Sequence, residues 1–306
     1  MRTLDLDALL PEIAAQVQPL ARQGQQADYI PALADADPNR FALATCDLTG
    51  AEHAVGDADV PFAIQSIAKV FSLTLALQHV GEDLWKRVDR EPSGDPFNSL
   101  IQLELDEGVP RNPMINAGAL AVCDVLLERC DDPDGEVRAL LSELCGEPIG
   151  IDDEIREAER RAGHRNTAMA HLMSAFGNLH TSVEAVMSTY AGLCAVTMTT
   201  RQLARAIRFL ANGGVDPKTG HRVVPEALAR RINAVMLTCG TYDSAGQFAY
   251  EVGLPCKSGV AGAIVADAPG RLGMCAWSPP LDASGNSRAG GAALHLLAER
   301  AKLSVF

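Results

Sequence analysis

The chain has 306 residues, 47% of them hydrophobic, with 39 acidic against 26 basic side chains and a formal net charge of −13. This is ample for a large buried core in one or two domains, while the acidic balance argues against nucleic acid or an anionic membrane as partner, because both demand clustered Lys and Arg. No run approaches the ~18 apolar residues of a membrane span, and the start, Met1-Arg-Thr-Leu-Asp-Leu-Asp7, lacks a signal peptide's basic-then-apolar pattern, so a cytoplasmic location is expected.

Residues 5–22 carry helical periodicity. Residues 41–47 and 52–56 read as two strands around the Leu48-Thr49-Gly50 turn. Val60-Pro61-Phe62 reads as extended chain, because the residue before proline avoids the helical region. Ser66-Ile-Ala-Lys69 then opens a helix. Ala68, Val70, Phe71, Leu73, Leu75, Ala76 and Leu77 make that helix apolar nearly all round, which is the mark of a buried one. From residue 66 to about 240 the signals are mainly helical. Breaks fall at Glu91-Pro-Ser-Gly94, Gly108-Val-Pro110, Asp131-Asp-Pro-Asp-Gly135, Glu147-Pro148 and Gly213-Gly214. From residue 246 three short apolar runs, 247–252, 262–267 and 272–277, read as strands, and a last helix spans about 286–301. The expectation is an α/β fold. Segments 1–65 and 241–306 would form one discontinuous domain, an antiparallel sheet with helices on it, and residues 66–240 a helical domain. The site would lie between them.

Ser66 and Lys69 answer a chemical need. Residues i and i+3 are neighbours on a helix face. A serine hydroxyl is a weak nucleophile until an adjacent base takes its proton, and a lysine is such a base only when burial or a second cation lowers its pKa. Lys257, in Lys257-Ser258-Gly259, could supply that cation. Ser-x-x-Lys with a distant Lys-Thr-Gly is the pattern of β-lactamases and penicillin-binding proteins, and Lys-Ser-Gly is a near variant.

The other reactive side chains read as structural. The eight cysteines fall singly in apolar runs, as free thiols buried like small hydrophobes. No Cys-x-x-Cys occurs, which argues against zinc. His164, His171 and His180 have poor ligand spacing, and Asp131 to Glu136 lacks a calcium loop's length and register, so it reads as a turn.

Enough residues are now in view to state a resemblance. The chain resembles the serine-dependent glutaminases, which hydrolyse L-glutamine to L-glutamate and ammonia on a β-lactamase-like fold. The resemblance covers nearly the whole chain. It is carried by Ala27-Asp-Tyr-Ile-Pro31, Pro61-Phe-Ala-Ile-Gln-Ser-Ile-Ala-Lys69, Glu91-Pro-Ser-Gly94 with Phe97-Asn98, and Asn112-Pro-Met-Ile-Asn-Ala-Gly-Ala119. It continues in Glu159 with Arg165-Asn166, Cys239-Gly-Thr-Tyr-Asp243, Gly253-Leu-Pro-Cys-Lys-Ser-Gly-Val-Ala-Gly262 and Trp277-Ser-Pro-Pro-Leu281.

The resemblance implies roles. Ser66 matches the nucleophile and Lys69 its proton acceptor, with Lys257 in electrostatic support. Tyr190 and Tyr242 match tyrosines that hold or relay the proton. Asn116, Glu159 and Asn166 match substrate-binding side chains, with Tyr29 and Gln65 nearby, and Val260 contacts substrate through its backbone. Glutamine is a zwitterion, so its ammonium needs a fixed anion, which Glu159 can be; a solvated glutamate in the charged run 157–161 is the bland alternative. Asn116 could equally be a helix N-cap. The Ser66 and Val260 N–H groups would make an oxyanion hole. Gly192 stands two residues after Tyr190, where the β-lactamase pattern has asparagine. The reading is a cytoplasmic glutaminase acting through a γ-glutamyl-Ser66 ester, with no cofactor or metal. A homo-oligomer, dimer or tetramer, follows from the resemblance. A β-lactam or peptide hydrolase of the same fold, or a non-catalytic amino-acid-binding protein, are the alternatives.

Overall fold

The computed structural model describes residues 5–94 and 98–306. Phe97, one carrier of the resemblance, lies outside them. The chain begins with α1 (Leu6–Val17), whose first turn is capped by the Asp5 carboxylate accepting from the Ala8 N–H at 3.2 Å. Its buried Leu10, Ile13 and Val17 recur at helical spacing on one face. After α2 (Pro31–Ala34) come β1 (Ala42–Asp47), β2 (Glu52–Gly56) and the two-residue β3 (Phe62–Ala63). A 3₁₀ turn, Gln65–Ile67, leads into α3 (Ala68–Val80). The middle of the chain holds α4 (Leu100–Leu105), α5 (Asn116–Leu127), α6 (Pro133–Cys145), β4 (Gly150–Ile151), α7 (Asp153–Ala162), α8 (His164–Ala175) and α9 (Val183–Cys194). Then follow β5 (Val196–Met198), α10 (Thr200–Ala206), α11 (Arg208–Ala211), α12 (Glu226–Cys239) and α13 (Ala245–Glu251). The end is β6 (Cys256–Gly259), β7 (Ala263–Ala268), β8 (Leu272–Trp277) and α14 (Arg288–Ala301). Among the described residues no helix is long and apolar enough to cross a membrane.

The main sheet has the order β2-β1-β8-β7-β6 and every pairing is antiparallel. The first strands and the last therefore interleave, with Ala42 opposite Trp277. Both faces of this sheet are covered. Leu43, Ile264 and Met274 point to one side, where Leu10 and Ile13 of α1 and Leu294 and Leu297 of α14 close a core. Ala44, Val265 and Cys275 point to the other, into the apolar mass of the helical region around Phe71 and Phe209. The two-residue alternation of strand side chains explains the split. Double coverage explains why these strands read as continuous apolar runs. α3 is buried over most of its length, as its all-round apolar sequence predicts. Truncating a side chain such as Phe71 there would cost about 3–5 kcal/mol.

Three expectations need correction. Residues 247–252 belong largely to α13 and not to a strand. Phe248, Tyr250 and Val252 imitate a two-residue alternation, but Phe248 and Val252 share a helix face against the α1–α14 core, while Tyr250 stands 91% exposed. The strand at that place is β6, which carries the Lys-Ser-Gly string. The turn at 131–136 is shorter than read: Asp132 caps α6, accepting from the Gly135 N–H, and Pro133 takes the first helical position, where its missing N–H costs nothing. A second sheet, β3-β5-β4, was not anticipated; strands of two or three residues leave no periodic trace.

Candidate active site

Ser66 lies in the 3₁₀ turn and Lys69 in the first turn of α3, so the two stand on one edge of that helix start. Ser66 is 7% and Lys69 3% exposed. The residue before the serine, Gln65, has φ +51°, and Tyr242 has φ +55°. Left-handed backbone at non-glycine residues costs of order 1–3 kcal/mol and collects where surrounding structure fixes a functional geometry. Here the Ser66 and Tyr242 side chains are hydrogen-bonded, and the Gln65 amide turns to Glu159. The Tyr242 hydroxyl also donates to the Ser258 carbonyl at 3.4 Å.

β6 brings Lys257 and Val260 to this point. Gly259 makes the approach possible, since a Cβ there would sit 2.8 Å from the Ile64 carbonyl oxygen. Ser66 and Val260 both line the same cavity. Lys257 is fully buried, donates to the Gly240 and Ser258 carbonyls at 2.9 and 2.8 Å, and lies 4.3 Å from the Tyr242 ring centroid.

Lys69 donates to the Asn116 side-chain oxygen at 2.7 Å and to the Met114 carbonyl at 3.3 Å. Burial pulls it down to about 8, against the opposing pull of Cys194, Cys123 and Glu159. Lys257 is held well below the ordinary lysine range by burial and then by Lys69. Tyr242 is pushed up to about 12 by burial, with the Ser66 and Ser258 hydrogen bonds opposing, and burial also raises Tyr190 well above its usual value. Tyr190 extends from α9 with the Lys69 Nζ 5.8 Å from its ring centroid. Gly192 is accounted for by packing: a Cβ there would meet the buried Asp134 carboxylate at 2.5 Å. The asparagine beside the lysine comes instead from α5.

Asn116 is not an N-cap. Its side chain bridges Lys69 and, through its amide N–H, the Asn166 oxygen at 3.0 Å. The turn before α5 is held by Asn112, which accepts from the Met114 and Ile115 N–H groups.

In front of Ser66 lies a cavity of about 280 Å³. It is lined by Tyr29, Gln65, Ser66, Asn116, Glu159, Asn166, Tyr190 and Val260, with Lys69, Tyr242 and Lys257 behind the wall. At its far end α7 stops at Gly163 and α8 begins, which puts Glu159 and Asn166 on two consecutive helices around one corner. The solvated-glutamate alternative fits Glu157, which pairs with Arg160 and Arg161 on the surface. Glu159 is 7% exposed and accepts from the Tyr29 hydroxyl at 2.8 Å and the Gln65 amide at 2.9 Å. Burial raises its pKa and both hydrogen bonds lower it. The Tyr29 ring is half exposed while its hydroxyl reaches the carboxylate. Asn98, Ala162, Gly163, Arg165 and Cys194 complete the lining. The sequence assigns them no role; Asn98 and Arg165 stand within the motifs quoted above, and Cys194, one helical turn after Tyr190, reads as a buried thiol. A larger cavity of about 460 Å³, between α13 and α14, touches none of these residues.

The glutaminase family profile matches residues 24–306. A glutaminase of Methylobacterium sp. (strain 4-46) is 52% identical over 305 residues, 99% of both chains. The solved structure of a probable glutaminase, YbaS, superposes with a TM-score of 0.94 at 36% identity, covering 99% of each chain. That of Mglu in its glutamate form gives 0.92 at 38% identity, over 100% of this chain and 70% of the other. With a serine–lysine pair at a helix start and a buried carboxylate across one cavity, on an antiparallel sheet built from both ends of the sequence, the chain belongs to the glutaminase family.

Proposed function

We propose that this protein hydrolyses the side-chain amide of L-glutamine to L-glutamate and ammonia through an ester on Ser66. One observation carries the reading: a single small cavity has Ser66 at one end, with buried Lys69 three residues on, and a buried, hydrogen-bonded carboxylate in the same lining. Glu159 would hold the substrate ammonium. Asn166 would donate to its α-carboxylate, while the Tyr29 hydroxyl keeps its hydrogen bond to Glu159. The side-chain amide would then reach Ser66. Neutral Lys69 takes the hydroxyl proton as Oγ attacks the carbonyl carbon. The negative oxygen is received by the Ser66 and Val260 N–H groups, each such donor being worth about 10²–10³ in turnover. Tyr242, hydrogen-bonded to Ser66, lies in position to pass a proton to the departing nitrogen, and ammonia leaves. Water then attacks the ester and glutamate is released. Lys257 fixes the Gly240 and Ser258 carbonyls that frame Tyr242. The glutamate form of the relative Mglu supports the product assignment.

We place the protein in the cytoplasm because all eight of its cysteines are free, as a reducing compartment keeps them. The homo-oligomer rests on the family resemblance, and sedimentation velocity tests it. The activity is tested by ammonia release from glutamine, asparagine and a chromogenic β-lactam side by side. Turnover of glutamine alone is expected; hydrolysis of the β-lactam in preference to glutamine would overturn the reading.

A further inference from the structure

Far from the cavity, the end of α3 meets the end of α5 and the start of α6. His79 lies in the last turn of α3, Cys130 just past α5, and Glu136 in the first turns of α6. One ligand atom from each lies within 4.8 Å of both others. His79 Nε2 and Glu136 Oε2 are 3.4 Å apart. That is the edge of a tetrahedron around an ion about 2.0–2.2 Å from nitrogen and oxygen. Nitrogen, sulfur and carboxylate oxygen form a donor set typical of zinc, and partial exposure leaves room for water as the fourth ligand.

We propose that His79, Cys130 and Glu136 form a surface site for zinc, or a similarly borderline-soft divalent cation, that ties three helix ends together. The surroundings favour a cation. The C-terminal ends of α3 and α5 present the negative ends of their dipoles there, and the Cys130 thiol already lies 3.3 Å from the Leu126 carbonyl. Burial and the Glu136, Asp131 and Asp132 carboxylates push this thiol up to about 12, so without a metal it stays protonated. A bound dication reverses the balance: the thiol proton leaves to solvent, the thiolate and the neutral imidazole enter the coordination shell, and bound waters are displaced. A second cluster makes a contrast. Asp124, Glu128 and His180 also converge, but the Arg87 guanidinium already lies among them, hydrogen-bonded to all three. No arginine or lysine is paired with the His79–Cys130–Glu136 group among the described residues. The sequence hides the site because His79 stands far along the chain from Cys130 and Glu136, whose own stretch reads as a turn.

The test uses Co²⁺ as a spectroscopic stand-in on the whole protein. Cys130 is the one cysteine of the eight that is not buried, so a thiolate-to-cobalt charge-transfer band reports on it alone. The band is expected to saturate at one ion per chain, to be removed by added Zn²⁺, and to vanish in Cys130→Ser and weaken strongly in His79→Ala. Both variants should keep glutaminase turnover, which serves as the folding control. In the unmodified protein, Zn²⁺ should also slow alkylation of Cys130, read by mass spectrometry, at least about tenfold, and raise Tm by mass action. Absence of the band and of alkylation protection at saturating metal, or a band undiminished in Cys130→Ser, overturns the site.

Discussion

Two buried ionisable groups serve the same cavity, Glu159 in its lining and Lys69 behind its wall, and they are given opposite kinds of partner. Lys69 is enclosed with one amide oxygen and one carbonyl as partners, and burial lowers it to about 8. Glu159 is enclosed nearly as deeply, yet the Tyr29 hydroxyl and the Gln65 amide donate to it, opposing the rise that burial causes. A base must be able to lose its charge; an anchor for a substrate ammonium must keep it. Burial pushes both groups toward their neutral forms, and hydrogen bonds to the charged form oppose it: for Glu159 the two donors resist the rise, while for Lys69 burial dominates.

The largest effect tests the end that holds the nucleophile. Ser66→Ala should lower kcat by about 10⁴–10⁶, as loss of a nucleophile does elsewhere, with circular dichroism unchanged. An electrophilic glutamine analogue should label the peptide containing Ser66. A label on a cysteine instead would make the protein a thiol amidase.

Next is the base. Arginine is not deprotonated in proteins, so Lys69→Arg should lose about 10²–10⁴ in kcat, like Lys69→Ala. With the neutral amine as the proposed base and burial lowering it to about 8, wild-type kcat/KM should rise from pH 6 through pH 8 and then level. Retention of more than a tenth of activity in Lys69→Arg, or a profile that falls over that window, would move the base to Tyr242.

At the anchoring end, Glu159→Gln leaves the substrate ammonium desolvated and unpaired. By analogy with truncated buried charge pairs, the cost is about 2–5 kcal/mol in kcat/KM for glutamine. A γ-glutamyl substrate with an acylated α-amine has no such charge, and its loss should be far smaller. Equal losses on the two substrates would mean that Glu159 is structural.

The smallest effect on activity concerns a third buried ion, one that has only half of what Glu159 has. Asp267 on β7 is fully buried and accepts from the Asn233 amide at 3.0 Å, but its second oxygen and the Asn233 oxygen have no partner among the described residues. Burial lifts its carboxyl to about 8, against the Asn233 hydrogen bond. A carboxyl whose folded pKa lies above its unfolded value stabilises fully below the unfolded pKa, and that contribution fades as pH climbs to about 8. Tm should therefore fall between pH 5 and pH 9 in wild type and fall less in Asp267→Asn, whose amide N–H can donate to the unpartnered Asn233 oxygen. Parallel Tm curves would remove Asp267 from the account.

The sequence exposed these features unevenly. Ser66 and Lys69 were legible because their chemistry is local, four residues of one helix start embedded in an unmistakably apolar helix. β1, β2, β7 and β8 were legible as apolar runs between turns. β6 was not, because Lys257, Ser258 and Gly259 are poor strand formers held there by their neighbours, while Phe248 and Tyr250 offered a false alternation. That Glu159, and not Glu157, turns inward depends on where α7 lies, which no spacing encodes. The donors that hold it, Tyr29 and Gln65, come from distant parts of the chain.

The interleaved sheet has a consequence for the protein's birth. β1 is flanked by β2, made almost at once, and by β8, made near the end of translation. Until β8 arrives, β1 keeps an unpaired edge, and pairing over so long a separation is intrinsically slow. The nascent chain therefore already holds Ser66, Glu159 and Asn166 but not the strand that carries Lys257 and leads into Val260. Activity should appear only after release from the ribosome, in step with the pairing of β1 and β8, and chains cut short before residue 256 should be inert toward glutamine.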